Sequence, residues 1–268
     1  MAEARVRNGD LADYDRPPVI EVVYGVAFAP LKAWKLPHTG LFWHRVFDEF
    51  PRSEQVFPIP GSEFVDPSIG LPVPRVWLIN TADDRLLQLQ PGRFLFNWRR
   101  REAAGPYPRH KILSDRFFGL FGEFQSFVGE NRLGEIEVSE YELTYINHVV
   151  EQEGWEFPAS IGRVVDHLSW KRERYHFLPE PSPLTWQARF DFPEGPGALW
   201  AKLKPARHAK QGKDLLVLEL SARGLPAEAP LDGVRKWFSH AHRWIVRGFE
   251  DLTSDVAQKE LWGRHEQG

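Results

Sequence analysis

The sequence predicts an α+β fold: two tandem β-α-β-β-β-α units, forming one antiparallel sheet with two long helices on one face. Three observations carry this. Short β-rich runs separated by turn residues come in groups of three, over residues 75–99 and again over 184–222. Each group leads into a long segment with a single apolar stripe at helical spacing. Each is preceded by a lone strand and a short amphipathic helix. The stripes start at Leu113 and Val234, and the third strands at Arg93 and Leu215. Both offsets are about 120 residues, a repeat of pattern with little residue identity.

In chain order, residues 1–18 read as a flexible leader ending in Pro17-Pro18. The first half covers 19–134 and the second 135–268, as one composite domain. Val19 to Phe28 is rich in β-branched residues and stops before Pro30, so it is a strand. Gly40 to Phe50 places Leu41, Phe42, Val46, Phe47 and Phe50 near helical spacing. Residues 51–74 carry six prolines and no period, which predicts a long loop. Strands follow at 75–80, 85–90 and 93–99, with Pro91-Gly92 suited to the centre of a type II turn. In the third strand, Phe94, Phe96 and Trp98 share the core face, and Asn97 and Arg99 share the face away from the helices. Residues 107–128 form the first long helix. The second half repeats the order: strand 138–150, short helix 160–168, strands 184–192, 198–204 and 215–222, and a helix over 232–262. Trp237, Trp244, Phe121 and Phe124 are expected in the core.

Composition narrows the function classes. The 268 residues are 42% apolar and 26% charged, an ordinary globular balance. There is no cysteine, which removes disulfides, thiolate metal sites and thiol nucleophiles. The net charge is −3, unlike the basic balance of most non-specific nucleic-acid binders. No apolar run suits a signal peptide or a membrane-spanning helix, so a cytoplasmic protein without membrane attachment is expected. Eleven Trp and 19 Phe stand beside one Met, and large rigid rings serve both cores and recognition sites.

Several stretches together resemble a sporadically distributed bacterial protein family with no settled activity. They are Pro17-Pro18-Val19-Ile20-Glu21-Val22, Gly92 to Arg99 (GRFLFNWR), Tyr107-Pro108-Arg109 and Tyr145-Ile146-Asn147. Towards the C-terminus they continue as Ala241 to Ile245 (AHRWI), Phe249 to Thr253 (FEDLT) and Trp262-Gly263. The doubled strand–helix–strands–helix order is similar to GyrI-like modules, which implies two halves around a shared ligand groove.

Catalytic signatures are missing. No GxSxG, SxxK, GxxxxGK[ST] or GxGxxG motif occurs. His240 and His242 point about 200° apart on a helix and cannot share a metal, and His44, His110, His148 and His208 are isolated in sequence. Neither metal nor cofactor is therefore expected. Glu21 among Ile20, Val22 and Val23 is either a ligand-reading acid or the partner of an arginine such as Arg99. From Arg93 to Arg116 there are seven basic and two acidic residues, and Lys202, Lys204, Arg207, His208, Lys210 and Lys213 make a second basic stretch. Each stretch is either a solvated rim or an anion-binding surface. The sequence favours a non-catalytic module that binds a small ligand or a protein partner in a groove between its halves, as a homodimer or within a heteromeric complex. The groove is expected to be lined by Glu21, Asn97, Arg99, Tyr107, Arg109 and Asn147. The alternatives are a nucleic-acid or anionic-ligand binder using residues 93–116 and 202–213, or a nuclease or transferase with a dispersed site.

Overall fold

The structure, a computed structural model, describes residues 11–59, 64–66, 70–101, 105–151, 155, 161–166, 168, 177, 184–193, 195–208, 212–225 and 231–265. Strand β1 (Val19–Phe28) leads to α1 (Leu36–Val46), the edge strand β2 (Arg52–Val56) and a two-residue hairpin, β3 (Val65–Asp66) and β4 (Leu71–Pro72). The first meander is β5 (Arg75–Ile79), β6 (Arg85–Gln90) and β7 (Arg93–Arg99), followed by α2 (Arg109–Glu130). The second half runs β8 (Val138–Val150), α3 (Ile161–Val164), β9 (Trp186–Asp191), β10 (Gly197–Arg207), β11 (Asp214–Gly224), α4 (Leu231–Leu252) and α5 (Asp255–Glu260).

Nine strands form one sheet in the order β2-β5-β6-β7-β1-β8-β11-β10-β9. Leaving out the edge strand β2, the order is mirrored about the β1–β8 junction. Each half runs outward as first strand, last meander strand, middle strand, first meander strand. The registers match as well. Val23 lies opposite Thr144 at the junction. Asn97 pairs with Val23 on one side, and Ser221 with Thr144 on the other. Two residues back along β1 and β8, Glu21 pairs with Arg99 and Glu142 with Arg223. The duplication is thus visible in the pairing geometry, where residue identity hides it.

Alternation decides what each face holds. Tyr24, Phe96, Phe94, Leu143 and Leu220 point to the helices and are essentially inaccessible. The two long helices pack on that same face: the Tyr24 ring meets Phe117 of α2 at 5.3 Å and Phe238 of α4 at 5.6 Å. Phe117 and Phe238 also touch each other, at 5.1 Å. Trp237, Phe121 and Phe124 are buried as the stripes predicted, whereas Trp244 is only partly buried, against Phe192.

Several expectations need correction. The segment 51–74 contains β2 and the β3–β4 hairpin; β2 is exposed along almost its whole length at the sheet edge, so no alternation marks it. Helix α1 starts a turn earlier than its apolar spacing suggested, because Pro37 sits in its first turn, where the missing N–H costs nothing. The 232–262 helix is broken at Ser254, whose extended backbone and side chain cap α5 by accepting from the Ala257 amide at 3.0 Å. Gly92 is not in the left-handed conformation of a type II turn. It is tolerated for space: a Cβ there would lie 3.0 Å from the Phe28 carbonyl oxygen. Of the leader, residues 11–18 are tied down. Tyr14 bridges to Arg264, and the amides of Asp15 and Arg16 donate to the carbonyls of Gly263 and Trp262. Part of the predicted second short helix lies outside the described residues.

Phe238 is fully inaccessible and touches rings from the sheet and both helices, so Phe238→Ala should cost about 3–5 kcal/mol. Trp244→Ala should cost clearly less. Urea unfolding of the two variants checks this order.

Candidate functional site

A cavity of about 340 Å³ lies between the helix face of the sheet, the start of α2 and the middle of α4. The N-terminal segment closes one side with Leu11, Ala12, Tyr14, Pro17 and Pro18. On α4, His242, Ile245, Val246 and Phe249 face it, the i, i+3, i+4, i+7 spacing of one helix surface. From the sheet come Val19, Tyr145, Asn147 and Leu220, and from the chain entering α2 come Tyr107, Arg109, His110 and Lys111. The wall therefore draws on both halves.

Apart from Arg109 and Lys111 at the rim, the polar groups of this wall are neutral. His110 and His242 stack at 4.0 Å between centroids with planes 10° apart. Burial pushes the His110 imidazole down to about 4. Burial, reinforced by the neighbouring His110, pushes His242 down to about 3. His110 Nδ1 shares a hydrogen bond with the Tyr24 hydroxyl at 2.8 Å. The hydroxyls of Tyr107 and Tyr145 meet at 2.7 Å. Burial raises all three phenols, Tyr107 to about 12, so they stay protonated. The Asn147 side-chain nitrogen donates to the Leu218 carbonyl at 3.1 Å, which fixes the amide. At the rim, Arg109 adopts φ 71°, a left-handed backbone rare outside glycine, and its guanidinium pairs with Asp13. Lys111 pairs with Asp115 at 2.6 Å.

Of the six residues expected to share one groove, Tyr107, Arg109 and Asn147 line this cavity. Glu21, Asn97 and Arg99 lie on the opposite face of the sheet, because Val22 and Trp98, their neighbours in sequence, point to the helices. That second group is an interlocked polar ladder across four strands. Asn97, 3% exposed, donates to the Glu21 carboxylate at 2.6 Å and accepts from Gln88 at 2.8 Å. Gln88 in turn accepts from Arg75 and Trp77 at 2.9 and 3.0 Å. Arg99 pairs with Asp83 at 2.8 Å, so the Glu21–Arg99 ion pair considered from sequence is replaced by Glu21–Asn97 and Asp83–Arg99. Burial raises the Glu21 pKa, against the opposing effects of the Asn97 hydrogen bond and the Arg99 charge. The face away from the helices is therefore partly dry. Across β8 and β11, Thr144, Glu142, Ser221 and Arg223 make the matching ladder.

The first basic stretch does not form an open cationic surface, whereas Lys202 and Lys204 of the second are exposed. Arg93, Arg99, Arg101, Arg109, Lys111 and Arg116 are each paired with a carboxylate, and Arg100 donates to the Pro17 carbonyl. Strands β1, β8 and β11 separate β7 from β10, which puts these two strands on the order of 19 Å apart. Among the described residues, no group of three or more His, Asp or Glu side chains could hold a metal ion. No described helix is long and apolar enough to cross a membrane.

No family model matches the chain and no curated protein matches it, so the family suggested by its motifs stands as a resemblance. Among solved structures, the chain is similar to DynU16, a protein of the dynemicin biosynthetic locus, at 10% identity and a TM-score of 0.23, over 87% of this chain and 98% of that one. It is also similar to the di-domain ARO/CYC StfQ of the steffimycin biosynthetic pathway, at 10% identity and a TM-score of 0.19, over 89% and 97%. At these TM-scores neither likeness bears on ligand or chemistry.

The stacked histidine pair was missed from sequence, since His110 and His242 are far apart along the chain. It has a measurable signature. In the unfolded chain both titrate near 6.5, while in the folded chain they stay neutral down to about 4 and about 3. The unfolded state thus binds more protons below pH 6.5, and their contribution to stability falls as the pH drops from there towards 4. His242→Phe should flatten that decline in urea unfolding between neutral pH and about pH 5. Glu21 has the opposite sense. Its folded pKa is raised, so its ionisation works against folding once the pH exceeds the unfolded value. Glu21→Gln should raise the melting temperature at pH 7 and lose that gain near pH 4, as read by thermal unfolding at both.

Proposed function

We propose that this protein is a small-ligand binding module and that the cavity between α2, α4 and the N-terminal segment is its site. One observation carries the reading: separate sequence stretches converge on that cavity. Pro17, Pro18 and Val19 come from the first motif, Tyr107 and Arg109 from the third, Tyr145 and Asn147 from the fourth, and His242, Ile245 and Phe249 from α4. Core packing alone does not require a chain to direct so many of its distinctive stretches to one space. The volume is in the range of small-molecule sites, and an apolar wall with a few fixed polar groups is the usual make-up of such sites.

The chemistry of the wall supports binding without turnover. A general acid or base works best with a pKa near the operating pH. His110 and His242 lie well below it and Tyr107 well above. Such groups donate and accept hydrogen bonds but exchange protons poorly. The pairing of Arg109 and Lys111 with carboxylates also favours an uncharged ligand over an anion.

Val246 lines the cavity from α4 and is only partly buried, so a larger side chain can grow into the space without displacing the core. Val246→Phe should leave the fold intact and weaken ligand binding by about tenfold or more. Calorimetry on a ligand extracted from the native cell, wild type against variant, checks it. Unchanged affinity would place the site elsewhere.

A further inference from the structure

The cavity wall ends a long run of near-parallel rings. Along α2, Phe124, Phe121 and Phe117 follow with planes 20° and 5° apart. Phe117 continues to Tyr24 on β1 at 28°, Tyr24 to His110 at 24°, and His110 to His242 at 10°. The His110–His242 step is the closest, and both of these rings line the cavity. Among the described residues, no hydrogen bond reaches either ring nitrogen of His242. A closely stacked imidazole pair and an unused imidazole edge thus meet at one place in a largely apolar wall. The cations at the rim, Arg109 and Lys111, are exposed and already paired with Asp13 and Asp115, so an anion inside the cavity would lose its water without a buried counter-charge beside it.

Taking the cavity as the binding site, we infer that its ligand is a planar, uncharged aromatic molecule with a hydroxyl or carbonyl substituent. Its ring continues the stacked run, and its substituent hydrogen-bonds the edge of His242. Stacking favours flat rings over saturated ones of similar size. The imidazole edge favours a polar substituent over a bare hydrocarbon, since filling the site without one leaves a buried polar group unpaired.

Four bicyclic probes separate these requirements by calorimetry on the full chain: 2-naphthol, naphthalene, 2-naphthoate and decahydro-2-naphthol. 2-Naphthol should bind at least about tenfold tighter than the charged and the saturated probes, and tighter than naphthalene. H242F keeps a flat ring and loses the polar edge, so 2-naphthol and naphthalene should then bind within about twofold of each other. H242Q keeps a polar edge and loses the ring, so the preference over decahydro-2-naphthol should shrink. If neither His242 variant folds, the probe order on the wild-type chain decides. Equal or tighter binding of 2-naphthoate or of decahydro-2-naphthol overturns the ligand class. The cavity reading survives that result if Val246→Phe still blocks the probes. Binding that Val246→Phe leaves untouched overturns the cavity reading itself, and no binding of any probe counts against both.

Discussion

The pairing of β1 with β8 is the constraint on which the rest of the structure depends. It joins the two halves, and its register decides what lies on either side of the sheet. A slip of β1 by one residue would turn Tyr24 away from the helices and drive Glu21 into the core, and a slip of β8 would do the same to Tyr145 and Glu142. With the observed register, both tyrosines stand under α2 and α4, and both glutamates stand on the far face with an arginine opposite each. Gly25 lets the junction close tightly, since a Cβ there would come within 3.3 Å of both Glu142 and Leu95.

The helix side of that junction shows how an aromatic-rich sequence makes a rigid cavity. Rings from α2, β1 and α4 brace one another, so the walls are set by packing before any ligand arrives. The hydroxyl of Tyr107 bonds to that of Tyr145, and Tyr24 bonds to His110, so these polar groups are held without introducing charge. On the N-terminal side, Gln258 is 1% exposed and anchors the closing segment. Its amide nitrogen donates to the carbonyls of Glu250 and Thr253, while its oxygen accepts from Tyr14 and Arg264. The segment that walls the cavity is thereby fastened to the C-terminal helix α5 and the residues after it.

The far side of the sheet follows a different logic. Its buried amides and carboxylates form chains in which Gln88, Asn97 and Glu21 each serve a neighbour. Such chains are costly to break, because a lost partner leaves a buried polar group unpaired. The Arg99 guanidinium illustrates the partial balance: it pairs with Asp83 and lies over Trp77 at 5.9 Å, yet its Nε is buried without a partner among the described residues. The symmetry of the two ladders about the Val23–Thr144 pair ties this face to the same duplication as the core.

The sequence by itself determined the local events: strands β1 and β8, the first meander, the two long stripes, and the assignment of Phe94, Phe96 and Trp98 to the core. Each depends on a period of two or 3.6 carried by neighbouring residues, or on turn chemistry between them. It also marked Tyr107, Arg109 and Asn147 as residues of interest. Tertiary structure alone decided that these three share a cavity while Glu21, Asn97 and Arg99 share the other face. It alone set His110 against His242, and Arg99 against Asp83 in place of Glu21. The edge strand β2, the break at Ser254 and the fastening of residues 11–18 to the C-terminus were likewise invisible. The physical reason is common to all of them. Periodicity reports which way a side chain points relative to its own element, but not which distant residue occupies the space it points into.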